Sequence, residues 1–253
     1  MNQEKEEEIF CKRLKELAHQ AYSQGICSYT SFLNLNELHL FYKVVSTIPH
    51  ISYQIFGGYK EAERRVICFY DDDSFTNVSV PIVCLSILPN SLKYSESLSH
   101  RDYLGAILNL GIDRSKVGDI LVQGKKAYLF CRKEIAPFIC ESLERIKHTN
   151  VTAQLIDFQE FEFEPETETI SGTVTSVRLD RLLSLAFQSS RSSLTSLISA
   201  GKVFVNGKMI LSNSFVPNED DIISVRGMGR FVFKKIESQT KKDRYRIIIE
   251  KYK

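Results

Sequence analysis

One stretch, Val177 to Phe233, constrains the fold of this chain more than any other. Leu179, Leu182, Leu183, Ala186 and Phe187 recur at helical spacing and bury one face. Asp180, Arg181 and Ser184 then look outward. Ser190 suits the N-cap of a following helix whose buried stripe is Leu194, Leu197 and Ile198. Arg191 and Thr195, four apart, share the exposed face near that helix's start. Gly201 stops the helix, as a glycine just past a helix end commonly does. Val203-Phe204-Val205 is strand-like, and Asn206-Gly207 signals a tight hairpin because both residues tolerate positive φ. Lys202 and Lys208 flank that hairpin. Gly227 and Gly229 allow a turn that sets Arg226 and Arg230 near each other.

The charge is distributed to match. The whole chain carries a formal +2, which by itself says nothing about nucleic acid. Residues 172–253, however, hold 15 Lys/Arg against 7 Asp/Glu, whereas residues 1–171 hold 18 against 24. This asymmetry is the signal. Charge alone leaves a solvated basic face as the plain alternative. The ordered pattern Arg178-Leu179-Asp180-Arg181-Leu182-Leu183, Ser190-Arg191-Ser192, Gly201 to Lys208 and Asp221 to Phe231 closely resembles the S4 RNA-binding domain. That resemblance implies a surface for structured RNA.

The middle of the chain reads as strand 82–88, helix 98–110, strand 119–122, a turn at Gly124-Lys125-Lys126, strand 127–132, helix 135–147 and strand 151–156. The order is βαββαβ, the split-βαβ sandwich that includes RNA-recognition motifs. A motif of that kind stacks bases on aromatics of its two central strands. Tyr128 and Phe130 alternate correctly on the third strand, but Ile82 to Leu88 offers no aromatic, so both rings are read as core. Ser99 and Asp102 form a capping-box-like start to the first helix. His100 and Arg101 beside them are candidate accessory phosphate contacts.

The first eighty residues are α/β: a helix from Glu4 to about Gln24, another from Glu37 to about Ser46, extended chain from Ile51 to Phe56, and a strand from Val66 to Tyr70. Gly57-Gly58-Tyr59 is a turn, not a phosphate loop, because the lysine and hydroxyl residue of a P-loop are missing. Arg64 and Arg65 are further candidate accessory RNA contacts, although Glu61 and Glu63 stand beside them. The expected α+β architecture has three small domains. These are an α/β domain over 1–80, an RRM-like domain over 81–157, and an S4 domain with a basic C-terminal strand over 172–253. An acidic linker spans 158–171. Asp157 to Glu168 holds six acids and no base. It reads as a solvated linker, or alternatively as a screen against non-specific RNA.

No apolar run approaches the roughly 20 residues of a membrane span, and the acidic start is unlike a signal peptide. The six cysteines contain no Cys-x-x-Cys pair and do not cluster with histidine at zinc-ligand spacing. The expectation is a cytoplasmic monomer with reduced cysteines, no metal, no cofactor and no membrane partner.

Phe56-Gly57-Gly58-Tyr59 with Ala62-Glu63-Arg64, the stretch 98–122 ending Gly118-Asp119-Ile120-Leu121-Val122, the carboxy-terminal module and the closing Thr240-Lys241-Lys242-Asp243-Arg244 together resemble the YlmH family. The resemblance implies a non-enzymatic RNA-binding protein that meets rRNA and tRNA on the large ribosomal subunit in the handling of stalled translation. By the same resemblance the RNA surface is Arg178, Arg181, Ser190, Arg191, Ser192, Lys202, Asn206, Lys208, Arg226 and Arg230. Two rival readings stay open. Arg178-Leu179-Asp180 mimics the catalytic motif of S4-bearing pseudouridine synthases, but the threonine and glycine that continue that motif are absent. A cell-division-associated adaptor is the other rival. The glycine-rich loop of an S4-bearing methyltransferase and the nucleotide-binding signatures of a tRNA synthetase are not found.

Overall fold

Apolar residues spaced three and four apart organise the amino terminus of the computed structural model, which describes residues 3–71, 78–240 and 243–252. In α1 (Gln3–Gln24) the buried stripe is Leu14, Leu17, Ala18 and Ala21. After β1 (Ser28–Tyr29), a full capping box opens α2 (Leu35–Val44). Asn34 Oδ1 accepts from the N–H of Asn36 and Glu37, and Glu37 returns a carboxylate to the N–H of Asn34 at 2.7 Å. Both helices pack on a small antiparallel sheet, β1-β3-β2, formed with β2 (Ser52–Phe56) and β3 (Val66–Tyr70).

A second sheet follows: β4 (Ile82–Pro89), α3 (His100–Asn109), β5 (Val117–Gln123), β6 (Lys126–Arg132), α4 (Ala136–Ser142), β7 (Arg145–Ile146) and β8 (Thr149–Ile156). Its strands run antiparallel in the order β5-β6-β4-β8-β7. Leu85, Ile87, Leu129 and Cys131 share one core with Tyr103, Ile107 and Ile139 of the helices. The helix expected over 135–147 is shorter. Residues 145–146 pair with 149–150 as a hairpin whose turn places Lys147 at φ 51°, and this buries Ile146.

Strand alternation sends Tyr128 and Phe130 to the opposite face. There they join Phe32, Val66, Cys68 and Cys84 in a second core, at 2% and 0% exposure. This face of the sheet is closed. Residues 1–164 therefore form one compact unit with two sheets, not separate domains over 1–80 and 81–157. Asp119 fastens the two parts, accepting from the Tyr59 hydroxyl at 2.9 Å and from the backbone N–H of Glu63 and Arg64 at 2.7 and 3.1 Å.

The acidic run also differs from a free linker. Phe161 and Phe163 pack into the core around Phe130, and the Tyr128 hydroxyl donates to the Glu162 carbonyl at 2.8 Å. The glutamates 160, 162, 164, 166 and 168 stay exposed. From Thr167 the chain is already β9 (Thr167–Val174), the first strand of the second unit, residues 165–253.

That unit continues with α5 (Leu179–Phe187), α6 (Arg191–Ser199), β10 (Val203–Val205), β11 (Lys208–Met209), β12 (Ile222–Val225), β13 (Gly229–Gln239) and β14 (Tyr245–Tyr252). The six strands form one antiparallel sheet in the order β11-β10-β12-β13-β14-β9. Phe231, Phe233, Ile247 and Ile249 on the sheet share a core with Leu182, Leu183, Leu194 and Ile198 of the helices. Among the described residues no helix is long and apolar enough to cross a membrane.

Candidate nucleic-acid interface

The helical pair is held at its ends by local chemistry. Arg178 is the extended N-cap of α5. The first helical N–H groups reach across to a loop: Leu179 donates to the Phe215 carbonyl at 2.8 Å and Asp180 to that of Asn213 at 3.5 Å. Such partners answer the orphan donors of a helix start. Gln188 closes α5 in the left-handed conformation, φ 49°. Ser190 then caps α6, its Oγ accepting from the Ser193 N–H at 3.4 Å. Ser190 and Ser192 are exposed with their hydroxyls 3.2 Å apart. Arg191 opens α6, but its side chain lies outside the described residues, as do Lys241 and Lys242.

The hairpin forms as the Asn-Gly pair dictates. Asn206 and Gly207 take φ 49° and 81°, and Val205 pairs with Lys208. Asn206 is occupied internally: its amide nitrogen donates to Asp221 Oδ1 at 2.7 Å, and its oxygen accepts from the Ile222 N–H at 3.0 Å. It therefore positions this turn. Arg178 is likewise engaged, donating to both carboxylate oxygens of Asp180 at 3.2 and 3.4 Å, and Asp180, expected to look outward, is buried with this partner instead.

Lys202 and Arg226 are brought together. The Arg226 N–H donates to the Lys202 carbonyl at 2.9 Å, so the loop before β10 and the turn after β12 present two exposed cations side by side. Lys208 is exposed on the edge strand β11. Arg230 is half-buried, its guanidinium 4.3 Å from the Tyr252 ring centroid. Arg181 is also half-buried, and its Nε has no hydrogen-bond partner among the described residues.

The accessory candidates of the first unit divide. Arg64 donates to the carbonyls of Val117, Phe32 and Arg114 at 2.9, 2.9 and 3.3 Å, and burial holds its guanidinium below the ordinary arginine value. Arg65 reaches the carbonyls of Ala62 and Lys60. Both work as internal braces. His100 is held below the ordinary histidine value, first by desolvation and then by the Arg114 charge, with Asp119 pulling the other way. Arg101 is exposed. The sequence marks Asp119 only within a family-like stretch and Phe161 only within an acidic run, yet both hold the first unit together. The alternation Phe161-Glu162-Phe163-Glu164 is the signal that could have found the latter, since a period of two marks one covered face.

A helix pair followed by an Asn-Gly hairpin, with cations at the loop ends, defines an S4-type RNA-binding module. Residues 177–223 match the family model of the S4 domain, and residues 86–160 match the one described as "Putative RNA-binding domain in YlmH". The chain thus joins a region similar to the RNA-binding domain of YlmH to an S4 domain. It is 28% identical over 254 residues to the ribosome-associated protein quality control protein P2 of Bacillus subtilis (strain 168), covering 98% of this chain and 96% of that protein. Among solved structures, the cell division protein ylmH from Streptococcus pneumoniae shares the fold. Its TM-score is 0.51 at 22% identity, over 61% of this chain and 93% of that one.

Proposed function

We propose that this protein is a non-enzymatic RNA-binding protein. It acts as a monomer, holding structured RNA, rRNA or tRNA, on the large ribosomal subunit while stalled translation is handled. The observation that carries the reading is the paired display of Lys202 and Arg226 at the hairpin end of an S4 domain. Two exposed cations at adjoining loops neutralise adjacent phosphates and release their counterions. The name of the Bacillus relative, which matches nearly end to end, supplies the ribosomal setting.

Asp180 speaks against the pseudouridine synthase rival. It has no solvent exposure and is held by Arg178, so a substrate base has no route to its carboxylate. A helix start stabilises a carboxylate at that position in any case.

Crosslinking in cells followed by sequencing of the bound RNA tests the proposal. Reads concentrated on large-subunit rRNA and tRNA, and lost in Lys202→Glu/Arg226→Glu, are the expected result. Reads scattered over messenger RNA, or none at all, would overturn it.

A further inference from the structure

The first unit carries a surplus of acid, yet one end of its second sheet is basic. The β4–α3 loop, the β5–β6 turn and the β7–β8 turn meet there. Residues 89–103, 123–126 and 144–150 hold six Lys/Arg and three Asp/Glu. Two of those acids are already engaged. Glu96 accepts from the His148 N–H at 2.9 Å, and Asp102 pairs with Lys147 at 2.8 Å while also accepting from Ser99.

The loop at this end is anchored, but its apolar side chains are outside. Lys125 Nζ donates to the carbonyls of Leu92 and Ser95 at 2.7 and 3.0 Å, and the Glu96 N–H donates to Thr149 Oγ1 at 3.2 Å. Between these clamps Tyr94 is 79% exposed, with the Lys93 ammonium 5.4 Å from its ring centroid. A groove of about 590 Å³ runs along α3 beside the β7–β8 hairpin, lined by Arg101, Asn109, Arg145 and Lys147 and by the carboxylates of Asp102 and Glu144. Gly105 also lines it, and an added Cβ there would meet nothing within 4 Å. A mid-helix glycine costs about 1 kcal/mol against alanine, and no neighbour demands it here. It leaves this part of the groove lining at backbone level, which permits close approach by another chain.

We propose that this end of the 86–160 domain binds a single RNA strand, with Tyr94 stacking a base and Arg101 and Arg145 neutralising phosphates along the groove. The strand-face platform that such a sandwich would otherwise use is closed over Tyr128 and Phe130. The exposed Tyr94 ring on its anchored loop, with the Lys93 ammonium beside it, offers both stacking and phosphate chemistry. The inference rests on the RNA-binding reading above and gives the first unit its own contact.

The test measures binding of the full-length protein to deproteinised bacterial ribosomal RNA and to intact ribosomes, between 50 and 200 mM salt. Tyr94→Ala is expected to weaken RNA binding about tenfold. Arg101→Gln/Arg145→Gln should reduce the log–log salt slope by about 1.4, at about 0.7 for each single-strand phosphate contact. The Lys/Lys replacement should restore that slope. Gly105→Leu fills the groove with a better helix former, so weakened binding with an undiminished melting temperature is the expected signature. If the wild type fails to bind RNA, the reading of the whole chain falls and this site with it. If the wild type binds and all these variants match it in affinity and slope, only the site falls. Variants that keep RNA affinity but lose ribosomes would assign this end to a ribosomal protein and overturn the proposal.

Discussion

Arg178 donates to both carboxylate oxygens of Asp180, at 3.2 and 3.4 Å, and Asp180 is shut away from solvent. Leaving one member of a buried pair without the other costs about 3–5 kcal/mol. Arg178→Ala and Asp180→Ala should each lower the unfolding free energy by an amount near the low end of that range, because Arg178 is partly exposed. Urea denaturation measures this directly. RNA affinity per folded molecule should change less for Arg178→Ala than for Lys202→Glu. The opposite ranking would return Arg178 to the RNA surface.

Lys202→Glu/Arg226→Glu reverses two exposed charges held side by side through one backbone hydrogen bond. Exposed substitutions of this kind leave stability within about 0.5 kcal/mol. Binding to structured rRNA should fall at least about tenfold, and the salt slope should drop by about 0.9 for each duplex phosphate contact removed. Filter binding across a salt series gives both quantities. An unchanged slope would mean that neither side chain meets phosphate.

The carboxy-terminal unit was legible because its determinants are local. The stripe Leu179-Leu182-Leu183-Ala186, the Ser190 cap and the Asn206-Gly207 turn each lie within a few residues of the feature they dictate. The first unit hid what depends on distant partners. Arg64 reads as one more surface charge between acids, until the chain brings it the carbonyls of Phe32 and Val117, 32 and 53 residues away. The acidic run was misread for a related reason. Its composition describes the exposed glutamates, whereas its position is set by Phe161 and Phe163 on the opposite side. At the proposed RNA end, Arg101 was visible as an unexplained cation. Tyr94 was not, because only the clamps from Lys125 and Glu96 separate a presented ring from a loop residue.

Gly58 sits at φ 103°, and an added Cβ would lie 2.1 Å from Phe130 Cδ1, a ring that is itself fully buried. Gly58→Ala thus combines left-handed strain, about 1–2 kcal/mol, with overpacking worth about 1–3 kcal/mol. Gly124 is the internal control: its φ is 60°, but nothing lies within 4 Å of an added Cβ. Gly124→Ala should lose only the strain. Equal losses at the two positions, measured by thermal denaturation, would show that the Phe130 contact relaxes without cost.

Asp102 carries the pH dependence of the β7–β8 turn. The Lys147 ammonium, followed by the Ser99 N–H and hydroxyl, holds its carboxyl down to about 2, while the same pairing raises Lys147. An unfolded aspartate titrates near 3.9, so between those values the unfolded chain binds more protons than the folded one. The pair's contribution is therefore full above about pH 4 and is lost as pH falls toward 2. On the alkaline side it is lost only above the ordinary lysine range. The melting temperature of Asp102→Asn should lie below that of the wild type across neutral pH, with a constant gap. The gap should close on acidification to pH 2. Because an amide oxygen can also accept from the Ser99 N–H and hydroxyl, a gap that persists there would mean that the asparagine disturbs the turn by something other than the lost charge.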